Sequence, residues 1–327
     1  MNILLTGGAG YIGNHVVYNL IDNGHNVYVI DNLSTGTYNL IPNSIKSTIC
    51  DIADNAKIET ILKNNKFDLL MHFAAFIKVD ESVNFPEKYF LNNTDKTISL
   101  FEICKKFGLK NIIFSSTAAV YGEVGDMGLI SETCVPKPAN PYASSKLKVE
   151  NYLKKNKDVF NFIILRYFNV AGADPLLRTG QISKQSTHLI KVLSEIVTGK
   201  KNSLEIYGND YKTHDGTAIR DYIHVSDLAE IHVEMSKYLL NEKKSNILNC
   251  GYGRGFSVME VLNAFKRISE INIKYTFASR RDGDVESLIA DTTKIHKYIK
   301  WKPKFDKLET IIETSLEWEK KLNEKNF

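Results

Sequence analysis

NILLTGGAGYIG, residues 2–13, opens the chain with a short apolar run and a glycine-rich turn. Gly7, Gly10 and Gly13 form a GxxGxxG pattern between a predicted strand and a predicted helix. Glycines there allow a tight turn, the approach of a pyrophosphate to the backbone, and close packing of helix on strand. The helix N-terminus then offers free N–H groups to an anion. The stretch therefore predicts a dinucleotide-binding unit, although alone it fits a plain strand-turn-helix junction equally well.

An acidic residue follows at the end of the second predicted strand, Val27–Ile30. Asp31 stands close to the spacing at which a carboxylate meets the adenosine ribose of a dinucleotide. Its charge would repel a 2′-phosphate and no arginine follows at once, so the sequence predicts NAD rather than NADP. Asp51 and Ile52 close the third predicted strand, where we expect them beside the adenine. The alternatives are a turn or cap role for Asp31 and an ordinary strand end at Asp51.

Apolar runs alternate with stretches of helical spacing through the first half of the chain. Several runs are apolar without alternation, as strands buried on both faces should be. The pattern predicts an α/β fold, a Rossmann-type doubly wound parallel sheet with a smaller mixed α/β C-terminal lobe. We expect residues 1–172 to form the NAD-binding domain and residues 173–327 mainly the substrate lobe, with the chain crossing between them. The predicted strands are Asn2–Thr6, Val27–Ile30, Ser47–Cys50, Leu69–Ala75, Asn111–Ser116 and Phe162–Phe168.

Composition excludes several classes of function. The 327 residues carry a formal net charge of +4, too small to argue for nucleic acid or a membrane surface. No run of about 18 uninterrupted apolar residues predicts a membrane span, and the apolar N-terminus is predicted to be a strand, not a signal peptide. The eight histidines lack metal-ligand spacing, so no metal is predicted. The cysteines form no CxxC pair, which predicts free thiols in a reducing cytoplasm. They are Cys50, Cys104, Cys134 and Cys250.

NPYASSK, residues 140–146, brings a tyrosine and a lysine together. Asn140 suits an N-cap and Pro141 a first helical position, so Tyr142 and Lys146 lie on one helix face. A phenol with a pKa of about 10 is a poor base at neutral pH. An ammonium, a helix N-terminus and an oxidised nicotinamide would all favour the phenolate. Ser115–Thr117 ends the fifth strand and could supply a hydroxyl at the same sheet edge. Alternatively, the tyrosine packs and the lysine is solvated.

Eight segments together resemble UDP-glucose 4-epimerases of the extended short-chain dehydrogenase/reductase family, over nearly the whole chain. The resemblance implies NAD-dependent interconversion of UDP-galactose and UDP-glucose in galactose metabolism, through C4 oxidation, rotation of a 4-keto sugar and re-reduction. It also implies a homodimer joined through Pro86–Phe107 and Pro141–Lys155. The segments are TGGAGYIG (6–13), HFAA (72–75), FSSTAAVYG (114–122), NPYASSK (140–146), LRYFN (165–169), IYGNDY (206–211), TAIRDYIHV (217–225) and RRDGD (280–284).

The resemblance implies roles for single residues. Tyr142 would be the base, Lys146 would tune it and hold the nicotinamide ribose, and Thr117 would bond the sugar hydroxyl. The NAD site would further contain Gly7, Gly10, Tyr11, Ile12, Gly13, Asp31, Asn32, Asp51, Ile52, Phe73, Ala74, Ala75, Asn93 and Tyr167. The UDP-sugar would also meet Asn169, His188, Leu189, Tyr207, Arg220, Arg281, Asp284 and Leu288. Guanidinium groups suit a diphosphate. The residues alone leave open surface ion pairs of Arg220 with Asp221 and of Arg281 with Asp282.

Departures from the family pattern bear on cofactor and substrate. Ile77, followed by Lys78, stands where many members carry a lysine that helps fix the cofactor, which bears on how tightly NAD is held. The loop Asp174–Ser186 differs from the commonest versions. Leu288 stands where some members carry a bulky tyrosine that restricts the sugar pocket. We therefore hypothesise that the pocket also accepts UDP-N-acetylhexosamines.

Three rival functions use the same scaffold or the same glycine turn. A 4,6-dehydratase needs an acid and a base for elimination, and its relatives carry Asp-Glu where this chain has Ala118 and Ala119. A UDP-glucuronate epimerase or decarboxylase demands only a carboxylate pocket and stays open. A non-catalytic NAD-binding regulator would commonly have lost the Tyr or the Lys, and both are present here.

Overall fold

The structure is a computed structural model that describes residues 1–123, 128–182, 186–281 and 283–325. Its strands are β1 Asn2–Thr6, β2 Asn26–Asp31, β3 Lys46–Ile49, β4 Leu69–His72, β5 Asn111–Thr117, β6 Leu129–Ile130, β7 Asn161–Tyr167, β8 Asn169–Ala171, β9 Leu204–Tyr207, β10 Ile219–His224, β11 Asn246–Cys250, β12 Gly255–Ser257, β13 Tyr275–Ala278 and β14 Ser287–Ala290. Its α-helices are α1 Tyr11–Asp22, α2 Asn55–Asn64, α3 Val79–Asn84, α4 Pro86–Tyr89, α5 Lys96–Lys106, α6 Pro141–Lys155, α7 Leu189–Val197, α8 Val225–Glu242, α9 Val258–Ser269, α10 Ile295–Tyr298 and α11 Leu308–Lys325. A π-helical turn, Phe90–Asp95, joins α4 to α5.

A parallel sheet dominates the first lobe. Within the described residues, seven strands form it in the order β11-β7-β5-β4-β1-β2-β3. β1 pairs with β2 on one side and β4 on the other, so the strand order reverses there. A crevice opens at such a reversal, outside the carboxyl ends of the strands. The predicted Rossmann-type α/β fold is confirmed.

The sheet is buried on both faces. Ile3 and Leu5 belong to a core shared with α1 and α8, whereas Leu4 belongs to a core shared with α2, α5 and α6. Successive strand side chains point to opposite faces, so a strand covered on both sides must be apolar throughout. Burying one such side chain contributes about 1.5–3 kcal/mol. The continuous apolar runs in the sequence follow from this packing.

The second lobe packs smaller sheets against α7, α9 and α11. β10 lies between β12 and β14, pairs with β8 as well, and β14 carries the short strand β6. Segments of the chain cross between the two lobes in both directions. β6 comes from the first half, while β11 and α8 from the second half join the large sheet and its covering layer. The division at residue 172 stays a prediction.

Element ends differ from the predicted ones at informative places. The fourth strand ends at His72 instead of Ala75, because Phe73–Ala75 leaves the ladder and passes against the glycine turn. The C-terminal helix is Leu308–Lys325, and residues 326–327 lie outside the described part. Residues 183–185 of the predicted loop Asp174–Ser186 also lie outside it. In the described ranges, we find no helix long and apolar enough to cross a membrane.

Candidate active site

A cleft of about 660 Å³ opens at the carboxyl ends of the central strands. Its walls come from the glycine turn, from the ends of β2, β4, β5 and β7, and from α6 and α7. The structure places twenty sequence-predicted site residues in these walls. They are Gly7, Gly10, Tyr11, Ile12, Gly13, Asp31, Asn32, Asp51, Ile52, Phe73, Ala74, Ala75, Thr117, Tyr142, Lys146, Tyr167, Asn169, His188, Leu189 and Leu288.

The glycine turn brings the backbone to the cleft with no side chain between. Gly7 has φ +77°, and a Cβ there would lie 2.6 Å from the amide nitrogen of Ala74. A Cβ on Gly13 would lie 2.2 Å from the carbonyl oxygen of Gly7. α1 begins at Tyr11 with Gly10 as its N-cap, and no side chain in the part of the chain that the structure describes caps it. The first amides of α1 and the positive end of its dipole are therefore available to an anion.

Asp31 lies at the floor of the same cleft. Its carboxylate accepts hydrogen bonds from the backbone N–H of Ala9 at 2.9 Å and of Leu33 at 2.8 Å. Burial raises the pKa of Asp31, and the two backbone hydrogen bonds oppose that rise. The carboxylate is thus fixed at the end of β2 as an acceptor, which is the chemistry that a ribose diol needs.

A second acidic group stands two residues past the end of β3. Asp51 accepts from Asn32 Nδ2 at 3.0 Å and from Lys96 Nζ at 2.8 Å. Burial would raise the pKa of Asp51, but the hydrogen bonds from Lys96, Ala53 and Asn32 outweigh it and lower the pKa. These bonds hold Asp51 and Asn32 together at one end of the cleft.

Tyr142, Lys146 and Thr117 meet at the other end. The Asn140 side chain accepts from Ala143 N at 2.9 Å and starts α6, as predicted. Lys146 is almost fully buried, and its ammonium donates to the carbonyl oxygen of Ser115 at 2.9 Å. Burial lowers the pKa of Lys146 to about 7. It raises the pKa of Tyr142, and a hydrogen bond with Thr117 opposes this.

This arrangement suits proton transfer at a hydroxyl. The Tyr142 phenol and the Thr117 hydroxyl are hydrogen-bonded, and the buried Lys146 bonds the same strand at Ser115, beside the turn that would carry a dinucleotide. Burial keeps the phenol neutral here, so a positive charge in the cleft would be needed to favour the phenolate. An oxidised nicotinamide supplies such a charge.

Four further predicted residues form a group outside the cleft walls. Arg281 Nε donates to Asp284 at 2.8 Å, and Arg220 Nη2 lies 3.7 Å from the same carboxylate. The Arg281 guanidinium carbon lies 4.7 Å from the centre of the Tyr207 ring. Burial lowers the pKa of Arg220, and Asp284 opposes this.

Arg220 does not pair with Asp221, the acidic residue next to it in sequence. Asp221 is fully buried and accepts backbone N–H groups of Tyr252, Gly253 and Ala290. The predicted ion pair of Arg220 with Asp221 is therefore wrong. The carboxylate that lies near the Arg220 guanidinium is that of Asp284. Asp282, the other neighbour considered, lies outside the described residues.

Asn93 lies behind the cleft instead of in its wall. It exchanges two hydrogen bonds with the backbone of Phe76, at 2.8 and 2.9 Å, and donates to Ser145 Oγ at 3.2 Å. It sits in the π-helical turn, and such turns are frequent at functional sites. Asn93 thus holds the wall segment at Phe76 against α6.

The model of the NAD dependent epimerase/dehydratase family matches residues 3–251. The chain belongs to this family. A UDP-glucose 4-epimerase of Azospirillum brasilense is 43% identical, covering 98% of this chain and 93% of that protein. The solved UDP-glucose 4-epimerase of Bifidobacterium longum in complex with NAD+ and UDP is 33% identical, with a TM-score of 0.93 and full coverage of both chains. The UDP-Glc/GlcNAc 4-epimerase of Campylobacter jejuni is 43% identical, with a TM-score of 0.84 over 98% of this chain and 99% of that one.

Two residues of this member of the NAD dependent epimerase/dehydratase family escaped the sequence analysis. Lys96 anchors Asp51 from α5, forty-five residues away in sequence. His232 on α8 bonds Tyr167 from behind the cleft, at 2.6 Å. No local motif marks either residue, because each acts across a packing interface between distant elements.

Proposed function

We propose that the chain interconverts UDP-galactose and UDP-glucose, with NAD held in the cleft through the whole cycle. The observation that carries this proposal is the group formed by Tyr142, Thr117 and the buried Lys146, in the cleft that the glycine turn also lines. Relatives at about 40% identity over nearly the full chain are UDP-glucose 4-epimerases, and solved relatives hold NAD and UDP-sugars.

The residues present fit NAD. Gly7 and Gly13 leave a cradle that a Cβ would fill, the N-terminus of α1 is uncapped, and Asp31 is fixed as an acceptor. The glycine turn would hold the pyrophosphate, Asp31 the adenosine ribose, and Asp51 with Ile52 the adenine. Ile77 lines the cleft but is 55% exposed and carries no charge, so it cannot replace the lysine of other family members.

The chemistry is an oxidation and its reversal. When bound, NAD would supply a hydride acceptor that can also return the hydride, so it would not be consumed. Tyr142 takes the proton of the C4 hydroxyl, and Thr117 bonds the same oxygen. With its pKa lowered to about 7, Lys146 is protonated in part near neutral pH, and in that form its charge would favour the Tyr142 phenolate. After rotation of the 4-keto sugar, Tyr142 would return the proton to the oxygen, and bound NAD would supply the hydride for the other face of the sugar.

The UDP portion would anchor the substrate while the sugar turns. Among the described residues, Arg281 bonds Asp284 only through Nε, which leaves its outer nitrogens for a diphosphate. Arg220 faces the same Asp284 carboxylate and would bind the diphosphate together with Arg281. We assign the remaining contacts to Asn169, His188, Leu189 and Tyr207.

Leu288 supports a wider substrate range. It lies on β14, pairs with Arg220 in register, and lines the cleft. A leucine is shorter than tyrosine and leaves space for an N-acetyl group. The Campylobacter jejuni relative, at 43% identity, is a UDP-Glc/GlcNAc 4-epimerase. We propose UDP-N-acetylhexosamines as second substrates of this chain.

We further propose a cytoplasmic homodimer. Leu91, in the predicted interface segment, is 57% exposed although apolar. All four cysteines are free, which suits a reducing compartment. In the same proposal, residues 1–172 mainly hold the cofactor and residues 173–327 mainly the UDP-sugar.

The deciding experiment incubates the purified protein with UDP-galactose, without added NAD, and follows UDP-glucose by proton NMR. We expect UDP-glucose to appear, because NAD that is held through the whole cycle should co-purify with the protein. If nothing appears, NAD is added to the same tube, and recovery would mean that the cofactor is loosely held. If UDP-galactose does not react even with NAD added, but UDP-glucuronate is turned over, the protein would be assigned as a uronate enzyme. Silence with every UDP-sugar would favour a non-catalytic regulator.

A further inference from the structure

A buried histidine contacts the cleft from behind. Nε2 of His232 lies 2.6 Å from the hydroxyl oxygen of Tyr167, and both side chains are buried. Tyr167 and Phe73 line the cleft. The His232 ring packs on both, with ring centres 5.5 Å and 5.0 Å away. One residue of α8 therefore supports two side chains of the cleft wall.

The other ring nitrogen fixes the direction of the hydrogen bond. Nδ1 of His232 lies 2.8 Å from the carbonyl oxygen of Leu228, which can only accept. Nδ1 therefore carries the ring proton. Burial lowers the pKa of His232 to about 4, so the ring is neutral at physiological pH. Nε2 then has a bare lone pair, and the phenol of Tyr167 must donate to it.

This donation determines what Tyr167 offers to the cleft. Its hydrogen points towards α8, so its oxygen can only accept from any other partner. Ser115 is already a hydrogen-bond partner of this phenol, and Tyr142 lies close enough to influence its charge. Burial, first of all, raises the pKa of Tyr167 well above its ordinary value. Tyr167 therefore stays neutral and places no second negative charge beside Tyr142.

We propose that His232 is a positioning residue for the cofactor, which makes the Tyr167 oxygen a fixed acceptor at the Tyr142 end of the cleft. A nicotinamide carries a carboxamide whose N–H2 group is a donor, and an acceptor-only oxygen suits it. His232 acts through Tyr167 and Phe73 without touching the cofactor. The inference rests on the proposed NAD-dependent function.

The test compares two amide substitutions in the holoenzyme. In His232→Gln the amide oxygen can reach the place of Nε2, whereas the shorter side chain in His232→Asn reaches only the place of Nδ1. Dilution followed by ultrafiltration measures the rate at which bound NAD is released. We expect His232→Asn to release NAD about five- to tenfold faster than the wild type, the effect of one lost hydrogen bond. We expect His232→Gln to stay within about twofold of the wild type.

A double-substitution cycle separates positioning from general stability. Tyr167→Phe alone should raise the release rate as much as His232→Asn does, and it tests the idea even if the latter variant does not fold. The double variant should release NAD no faster than Tyr167→Phe, because both changes remove one interaction. Additive effects, or wild-type release from His232→Asn with a lowered melting temperature, would reduce His232 to a packing residue. In that case NAD retention by the wild type would leave the proposed function intact. A wild-type protein that neither holds nor binds NAD would overturn both.

Discussion

The ammonium nitrogen of Lys146 lies 2.9 Å from the carbonyl oxygen of Ser115. This bond ties α6, which carries Tyr142, to β5, which ends in Thr117. An ammonium has three donors, so two remain for a ribose and for water. Lys146 thus fixes the relative position of the phenol and the hydroxyl while keeping its own capacity to bind.

Removal of the Tyr142 phenol should abolish most turnover. In Tyr142→Phe we expect kcat to fall about 10²- to 10⁴-fold, because the phenol that takes the proton of the C4 hydroxyl is removed. The bound NAD and the melting temperature should change little. Quenched reactions with UDP-galactose, read by proton NMR, give kcat. The matched control is Tyr275→Phe, on the partly exposed strand β13. Wild-type kcat in Tyr142→Phe would show that the base is misassigned.

Loss of the Asp31 carboxylate should weaken the cofactor site selectively. In Asp31→Ala we expect the Kd for NAD to rise about tenfold or more, since a charged hydrogen bond contributes about 1.5–3 kcal/mol. The preference for NAD over NADP should shrink as well, because the repulsion of a 2′-phosphate disappears. Calorimetric titration with both cofactors measures this, with the exposed Asp158→Ala as control. An unchanged ratio of the two Kd values would contradict the assigned role.

A methyl group on Gly13 should destabilise the protein although it lies in a helix. Ala normally stabilises a helix interior by about 1 kcal/mol relative to Gly. Here the Cβ would meet the Gly7 carbonyl oxygen at 2.2 Å, and the backbone cannot yield cheaply. We expect the free energy of unfolding to fall by about 2–3 kcal/mol, measured by urea unfolding. Gly10→Ala, whose nearest contact would be 3.3 Å, should cost less. Equal stability of the two variants would refute the steric argument.

Buried neutral histidines should make the fold acid-sensitive. His72 lies between Thr6 and Thr97, and burial lowers its pKa to about 3. Below about pH 6.5, His72 takes up a proton in the unfolded chain but stays neutral in the folded chain. The contribution of the neutral His72 to the unfolding free energy is therefore complete above pH 6.5 and is lost as the pH falls towards 3.

Replacement of His72 by an amide should remove its share of that acid sensitivity. Between pH 7 and pH 5 we expect the wild type to lose about 2 kcal/mol more unfolding free energy than His72→Gln. Urea unfolding at both pH values measures the difference. His214→Gln, at an exposed site, should behave as the wild type. An equal loss in the wild type and His72→Gln would mean that His72 is already protonated in the folded state.

A tyrosine at position 288 should narrow the substrate range. In Leu288→Tyr we expect turnover of UDP-N-acetylgalactosamine to fall about tenfold or more, while UDP-galactose stays within about threefold, because only the N-acetyl group needs the space. Leu129→Tyr, an exposed change on the neighbouring strand, is the control. If the wild type never turns over UDP-N-acetylgalactosamine, the wider range is wrong.

The local features of the fold could be predicted because local physics determines them. The glycine turn, the apolar strands and the start of α6 at Asn140 each depend on residues within a few positions. The contact of Arg220 with Asp284 could not be predicted in this way. In β10, the side chains of Arg220 and Asp221 point to opposite faces, so these neighbours in sequence do not contact each other through their charged groups. The pairing of β10 with β14 brings Asp284 near Arg220 instead.

His232 illustrates the same limit. From sequence it is one of eight histidines without ligand spacing, and a core role is the simple expectation. Its bond to Tyr167 exists only because α8 packs on the large sheet, sixty-five residues further along the chain. Periodicity can predict that α8 is a helix, but it does not show which strand the helix covers.

The return of β11 to the edge of the large sheet has a consequence during synthesis on the ribosome. β11 pairs with β7, and about 250 residues must leave the exit tunnel before this pairing can form. Until then the edge of β7 is unpaired, and nascent chains with open strand edges are prone to wrong pairing. The first lobe therefore cannot mature as an independent N-terminal unit. A nascent chain should therefore need chaperones until residue 250 has emerged. A truncated chain should keep the large sheet only if it extends past residue 250, and not if it ends near residue 172.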